Sequence, residues 1–270
     1  MIKRLSAIFV CLMLCMIAVQ VYAQCPVQMQ YKFVPNQLLR YKLDMNMETT
    51  MQGMPGMQNQ RGSIPVTMSA VMRQRVKKVL PSGDAEIAIA FESMKMSVMG
   101  NPLPSDVDKM PVMTITMSPA GIVKKIQGME KMGNGMDSAQ FQNLGNFVTG
   151  TALPLTPVKV GDRWAQDVKL PSVGAFRIQS ELSAVDNGKA SIKQNTSGDI
   201  NSSTAVPGNA PVNSKGNINM DSTVQFSTSQ GYVLRSQGKG NVQMSIGLPN
   251  GQSMTTNTKM DMVMALIEGN

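Results

Sequence analysis

The sequence contains no histidine, which removes the commonest general base and metal ligand of proteins. Nucleophile systems of the Ser-His-Asp and Cys-His kinds are therefore excluded. The 17 acidic residues could supply a pair of catalytic carboxylates, but no spacing singles out two of them. We expect a protein that is not an enzyme and that carries no cofactor.

Residues 1–23 have the features of a secretory signal peptide. A basic start precedes an apolar run, and a small-residue cleavage pattern ends at Ala23. The run is short for a transmembrane helix of ~20 residues, so we expect cleavage before Gln24. No later segment is apolar enough to cross a bilayer. The product is predicted to be exported, to the periplasm or to the cell exterior.

Cysteine is scarce as well. Two of the three cysteines lie in the signal peptide, which leaves Cys25 alone and excludes an intrachain disulfide. An unpaired cysteine in an oxidising compartment can stay free, pair between chains or carry a lipid. Gln24 stands where lipoprotein signals usually have a small residue, so lipid anchoring is the less favoured alternative.

Aromatic residues make up only 4% of the chain, and the charge is only mildly basic. Of the 25 Lys and Arg residues, two lie in the signal peptide, so 23 basic and 17 acidic residues leave a net charge of +6. The basic residues are spread along alternating segments and form no stripe that could follow a nucleic-acid backbone. We expect no nucleic-acid partner.

The dominant periodicity after the signal peptide is two. From Leu39 to Glu48 every odd position is apolar and every even position is charged or an amide, which predicts a strand with one wet face. The apolar parity changes near Ser93, which predicts a β-bulge. We predict an all-β fold with one short helix, in which residues 24–270 form one large curved or half-open antiparallel sheet.

Two segments depart from this alternation. Residues 137–148 have apolar side chains at helical spacing, which predicts the short helix, packed against the sheet. Asn195 to Asn217 is rich in Ser, Asn, Gly and Pro, which predicts a long mobile loop.

Residues 30–128 and 158–267 follow a similar order of strands and turns. For example, Val224–Leu234 matches Met113–Val123 in its strand, its turn with a glycine and its returning strand. An internal duplication would explain this. A simple meander of hairpins would produce similar echoes, so both explanations stay open.

Between these halves, Leu153-Pro154 is followed by Pro-Val-Lys-Val-Gly-Asp-Arg-Trp, which ends at Trp164, the only tryptophan. Gly161 permits a turn and Asp162 can bond the local backbone. Trp164 can then enter the core as a large anchor. We predict a structural role for these three residues rather than ligand stacking.

This segment resembles an uncharacterised family of exported bacterial proteins with the pattern leucine-proline, then proline-valine-x-valine-glycine-aspartate-x-tryptophan. The resemblance covers most of the chain after the signal peptide, and it implies an exported or lipid-anchored β-rich protein with no known activity. A more distant likeness, to curved-sheet envelope lipid carriers, is an analogy of strand count and compartment.

The chain contains 26 methionines, and many of them sit at strand spacing. They could fill a core, or they could form an adaptable surface for an apolar ligand or envelope component. A third hypothesis uses Met51, Met54 and Met57 as soft ligands for monovalent copper or silver. We favour a non-enzymatic exported protein that binds an apolar ligand or envelope component. A copper or silver binder and a surface-interaction protein without a small ligand are the alternatives, and no oligomeric state is indicated.

Overall fold

The computed structural model describes residues 25–53, 62–104, 107, 110–128, 151–170, 174–204, 212–247 and 253–269. Their regular structure consists of β-strands and contains no α-helix, so the predicted all-β class is confirmed. The predicted signal peptide and the predicted helix over 137–148 lie outside the described residues. Within the described part, no helix is long and apolar enough to span a bilayer.

In the described ranges, twelve strands form a single antiparallel sheet. They are β1 Leu38–Gln52, β2 Ser63–Val79, β3 Ala85–Val98, β4 Asn101–Leu103, β5 Met113–Met117, β6 Val123–Gln127, β7 Arg163–Leu170, β8 Gly174–Asp186, β9 Lys189–Thr204, β10 Val212–Ser227, β11 Tyr232–Gly247 and β12 Ser253–Gly269. The order across the sheet is β6-β5-β3-β2-β1-β12-β11-β10-β9-β8-β7, and β4 pairs with β3.

Each half of the chain is a meander, and the halves meet where β1 pairs with β12. The first and last strands are therefore neighbours in the middle of the sheet. Among the described strands, the two edges of the sheet are β6 and β7. The predicted large, open antiparallel sheet is thus confirmed. The boundary between the meanders falls in the segment before Trp164, while the duplication itself stays a prediction.

The sheet has one apolar and one polar face, as the alternation predicts. On β1, Leu43 is fully buried between its register partners Ala70 and Met264, and this side is called the apolar face. The neighbouring residues Lys42 and Asp44 point to the other side, which is called the polar face, and their side chains form an ion pair at 3.0 Å. Burial of the apolar face is the main source of stability.

The predicted bulge in β3 is confirmed. The register between β2 and β3 shifts so that Glu92 is an extra residue between Phe91 and Ser93. The carboxylate of Glu92 lies 2.7 Å from a guanidinium nitrogen of Arg40. Because one residue is inserted, apolar residues of opposite sequence parity, such as Ile89 and Met94, are both buried.

At one end of the sheet, which carries the turns at 80–84 and 228–231, two segments cover the apolar face. We call it the closed end, and the covering segments are residues 25–36 and 151–162. The segments pair with each other through Val27 and Val158, whose backbone N–H groups each donate to the carbonyl of the other. Met29 and Leu153 are fully buried in the same core as the sheet residues.

The prediction of a long mobile loop from Asn195 to Asn217 is wrong. The described residues of this segment belong to β9 and β10, which pair with each other from Lys189–Ser227 to Thr204–Val212. The alternation is hidden because Gly198 and Gly216 occupy apolar-face positions. A Cβ atom at Gly198 would overlap the Ala175 carbonyl oxygen, and one at Gly216 would overlap that of Gln243. Close approach of neighbouring strands therefore requires glycine here.

Two turn glycines at the closed end contact the covering segments closely. Gly121 has φ +79°, and a Cβ atom there would overlap the Thr151 carbonyl oxygen. Gly231 has φ +73°, and its Cβ would lie 2.5 Å from the backbone nitrogen of Lys32. The carbonyl of Gly231 also accepts a hydrogen bond from that nitrogen. Both positions therefore demand glycine for conformation and for space.

We predict that Gly121→Ala and Gly231→Ala destabilise the protein more than Gly100→Ala does. Gly100 has φ +79°, and a Cβ atom there would meet no other atom of the described chain within 4 Å, so its substitution costs only backbone strain of about 1–2 kcal/mol. An alanine side chain at Gly121 or Gly231 must also displace a covering segment, which adds on the order of 2 kcal/mol to the loss of unfolding free energy. Urea unfolding measures the difference. If all three variants lose the same free energy of unfolding, the covering segments do not pack tightly against these turns.

Tyr31 links a covering segment to the core. Its ring packs edge-on against Phe226 with the ring centroids 5.4 Å apart, and its hydroxyl accepts a hydrogen bond of 3.0 Å from the Thr151 N–H. Burial raises the pKa of Tyr31 to about 12, because removal from water disfavours the phenolate more than the Thr151 hydrogen bond favours it. The neutral form is thus the one that fits the fold.

This raised pKa predicts a loss of stability in alkali. The contribution is fully present below the unfolded tyrosine pKa of about 10, and it is lost as the pH rises towards about 12. Tyr31→Phe keeps the ring and should make this part of the profile less steep, while buried Tyr41, whose pKa is also raised, still contributes to the loss in alkali. It should also cost about 1–3 kcal/mol at neutral pH, since the Thr151 N–H loses its acceptor. Urea unfolding of both proteins between neutral and alkaline pH tests this, and parallel profiles would contradict it.

Candidate functional site

A row of methionines crosses the apolar face. Met96 of β3 pairs with Met68 of β2, Met68 pairs with Met45 of β1, and Met45 pairs with Met262 of β12. Residues directly opposite each other in antiparallel strands have Cβ atoms about 4.5–5.5 Å apart. The four thioethers therefore form an unbroken row across four strands.

A second pair lies beside this row. Met47 of β1 is opposite Met260 of β12, one step further from the closed end. We call the six residues of both rows the methionine band: Met45, Met47, Met68, Met96, Met260 and Met262. The band spans the junction between the two halves of the sheet.

Glycines on β11 extend the apolar surface beyond the band. Gly238 is opposite Met262, and Gly240 is opposite Met260. A Cβ atom at Gly238 would lie 3.5 Å from the sulfur of Met220, and one at Gly240 would lie 2.9 Å from the Cβ of Met220. The missing side chains thus leave room for Met220 of β10, which lies over β11 and brings a further thioether towards the band.

Burial decreases along the band. Met45, Met68 and Met262 are buried, whereas Met47, Met96 and Met260 are only half-buried. At the closed end, the space left among the aromatic side chains around Tyr31 and Tyr41 is only ≈ 20 Å³, room for about one water molecule. The closed end is therefore a filled core, and the half-buried part of the band is the apolar surface that is accessible to a ligand.

Hydroxyl groups follow the band on the side away from the closed end. Thr49 and Thr258 are opposite each other, and their hydroxyl oxygens are 2.9 Å apart in a hydrogen bond. Flexible, polarisable thioethers fit apolar groups of varied shape. The threonines add hydrogen-bonding groups at the rim. The arrangement can accept a molecule with an apolar body and a polar end.

The structure describes only one of the three methionines in the metal-binding hypothesis. Met51 is half-buried in β1, opposite Thr256, while Met54 and Met57 lie outside the described residues. Copper or silver binding at these three methionines stays a prediction. Within the described ranges, no group of three or more Cys, Asp or Glu side chains is placed to hold a metal ion.

The predicted structural anchor lies at the β7 edge of the sheet. Trp164 is in the same register row as Met262 of the band, but strands β8 to β11 separate the two residues. Gly161 has φ +92°, and Asp162 closes the turn by accepting a hydrogen bond of 2.8 Å from the Lys159 N–H. Trp164 is half-buried against the core, and its indole N–H donates to the Ala152 carbonyl at 3.0 Å. Trp164 thus binds a covering segment to β7. Cys25, at the start of the other covering segment, is exposed and unpaired.

A broad depression of ≈ 1160 Å³ crosses strands β7 to β12, and residues of both faces line it, including Trp164 and Met262 of the apolar face and the charged residues of the polar face. Its charges are largely neutralised within the chain. Arg163 pairs with Glu181 at 2.8 Å, and Lys239 pairs with Asp261 at 3.4 Å. These residues are far apart in sequence, so only the strand register brings them together, and alternation alone provides no signal that could have found this depression.

No family model and no curated protein matches the chain. Among solved structures, it is similar to a chain in a structure titled "Lipid-protein interactions in lipovitellin", with a TM-score of 0.51 and 11% sequence identity. The similarity covers 88% of this chain but only 26% of that one, so the chain spans about a quarter of its length. At this identity, the likeness shows a shared fold, the large open antiparallel sheet.

Proposed function

We propose that the protein is an exported, non-enzymatic β protein that binds an apolar or amphiphilic molecule of lipid size on the half-buried part of the methionine band. The observation that carries the proposal is the register-paired row of methionines, which continues from a filled core to accessible surface. In most proteins a row of apolar side chains ends where the buried core ends, because large exposed apolar surfaces promote association.

The energetics of this surface suit a lipid. An acyl chain that covers about 300 Å² of apolar surface gains on the order of 7 kcal/mol, before the cost of association is subtracted. Unbranched methionine side chains can change rotamer to follow chains of different length or unsaturation. The surface therefore favours a class of ligands over one rigid molecule.

Two further findings support the proposal without deciding it. The structure of similar fold has a title that names lipid–protein interactions, which makes a lipid the first ligand class to test. The signal-peptide features of residues 1–23 place the protein, in this proposal, in the periplasm or outside the cell, where an envelope component would be the source of the ligand.

The proposal is tested first by native mass spectrometry of the protein purified from its own envelope or secreted fraction without added ligand. A co-purified mass in the lipid range supports it. A bare chain that also fails to bind a fluorescent long-chain fatty acid would refute it and leave a surface-interaction role. The same spectrum reports the N-terminus, any lipid on Cys25 and any bound copper or silver.

Replacement of the half-buried pair should weaken binding. Met47→Gln together with Met260→Gln keeps the side-chain length but introduces amides, and it should raise the Kd for the fluorescent fatty acid about tenfold or more. Met99→Gln is the matched control, because Met99 is 64% exposed in the turn between β3 and β4. It should leave the Kd unchanged.

A second pair of substitutions separates binding from folding. Met47→Leu together with Met260→Leu keeps the apolar surface and should retain binding, and urea midpoints of all variants show whether each is folded. If the glutamine variant is folded and binds as tightly as the control, the ligand does not occupy the band.

A further inference from the structure

A groove on the polar face of β1, β2 and β3 carries an excess of positive charge. Its volume is ≈ 610 Å³, and its wall and floor include Arg73, Arg75, Lys77, Ala88, Ala90 and Val112. We call it the basic groove. It lies on the opposite face of the sheet from the methionine band.

The strand geometry of β2 produces the row of cations. Alternation directs Arg73 and Arg75 to the polar face. The register between β2 and β3 then shifts between Val76 and Lys78, so that Lys77 is an inserted residue. Lys77 has the same sequence parity as Arg73 and Arg75 and lines the same groove, while Lys78, beyond the bulge, pairs with Glu86 at 3.0 Å.

Two of the three cations are available to an external anion. Arg73 lies 3.9 Å from Glu92, whose carboxylate is closer to Arg40. Arg75 donates a hydrogen bond of 3.2 Å to the amide oxygen of Asn36, which is uncharged. In the described part of the chain, neither Arg75 nor Lys77 forms an ion pair with an acidic side chain.

Apart from the cations and Asn36, the groove is lined by apolar residues. Ala88 and Ala90 of β3 form a floor of short side chains beside the cations, and Val112 is 55% exposed at the groove. A guanidinium group binds phosphate oxygens through a fork of N–H donors, and the apolar floor and rim suit the glycerol and upper acyl region next to a phosphate. Acidic polypeptide would match the charges but would leave Val112 in water.

We propose that the basic groove binds phosphate headgroups at the surface of an anionic lipid membrane. The inference stands on different residues and on a different face from the proposed ligand site, so either can fail without the other. A cationic wall beside an exposed apolar side chain is the combination that holds peripheral proteins at anionic interfaces.

Vesicle flotation tests the inference with the full mature chain. The protein should float with vesicles of phosphatidylcholine and phosphatidylglycerol, and it should not float with phosphatidylcholine alone. Binding should weaken as salt is raised, because the Debye length shortens to about 10 Å at 0.1 M. Equal binding to both vesicle types, or binding that ignores salt, would overturn the proposal.

Arg75→Gln together with Lys77→Gln should weaken binding to the anionic vesicles on the order of 20-fold. Lys193→Gln together with Lys215→Gln is the matched control, since both lysines are exposed on the strands β9 and β10 and carry the same total charge. The affinity of the control variant for the anionic vesicles should stay within about twofold of that of the wild type. An equal loss in both variants would mean that net charge alone drives the interaction, which overturns the assignment to the groove.

Two additional measurements complete the test. Arg75→Lys together with Lys77→Arg keeps both charges, and it should retain most of the vesicle binding; a loss as large as that of the glutamine variant, in a folded protein, would overturn the electrostatic role. Binding of polyglutamate with no binding to vesicles would reassign the groove to an acidic polypeptide. Fatty-acid binding, measured in parallel, should be unchanged in all these variants.

Discussion

The pairing of β1 with β12 joins the two halves of this protein, and the rest of the structure depends on it. These strands are at the two ends of the sheet-forming chain, yet they pair along almost their full length, from Leu39–Gly269 to Gln52–Thr255. Every other long strand pair in the described sheet is a local hairpin or a nearby return. Contacts so distant in sequence carry a large loop-closure cost, so the two meanders are expected to form before this seam does.

The covering segments stabilise the seam from the apolar side. The hydroxyl of Tyr41 on β1 donates to the Val233 carbonyl on β11, a contact that crosses β12 and ties the halves together. Residues 25–36 then contact turns of both meanders, since the Tyr31 N–H donates to the Pro119 carbonyl and the Lys32 N–H donates to that of Gly231. One short segment thus closes the core over strands from both halves. This explains why the closed end is filled while the other end of the apolar face is not.

The sequence predicts the strands and their faces because side-chain alternation is a local property. It also predicts the bulge at Glu92, since an inserted residue changes the parity of the apolar positions. The interpretation failed at β9 and β10, where Gly198 and Gly216 stand in apolar-face positions and make the segment polar by composition. Strand register cannot be read from alternation alone. The methionine band and the basic groove depend on register, so their arrangement across strands could not be predicted from the sequence.

The use of methionine at the seam has a physical reason. Met45 and Met47 face Met262 and Met260 across a junction that no turn fixes. Turns set the register and twist of a hairpin. The geometry of a seam between distant strands is instead set by the curvature of the two halves that it joins. Leucine or isoleucine would require one fixed geometry to pack well, but a methionine side chain fills an irregular gap by changing rotamer. The same adaptability that lets the seam close also lets its half-buried end follow the shape of an apolar ligand, so folding and binding place the same demand on these positions.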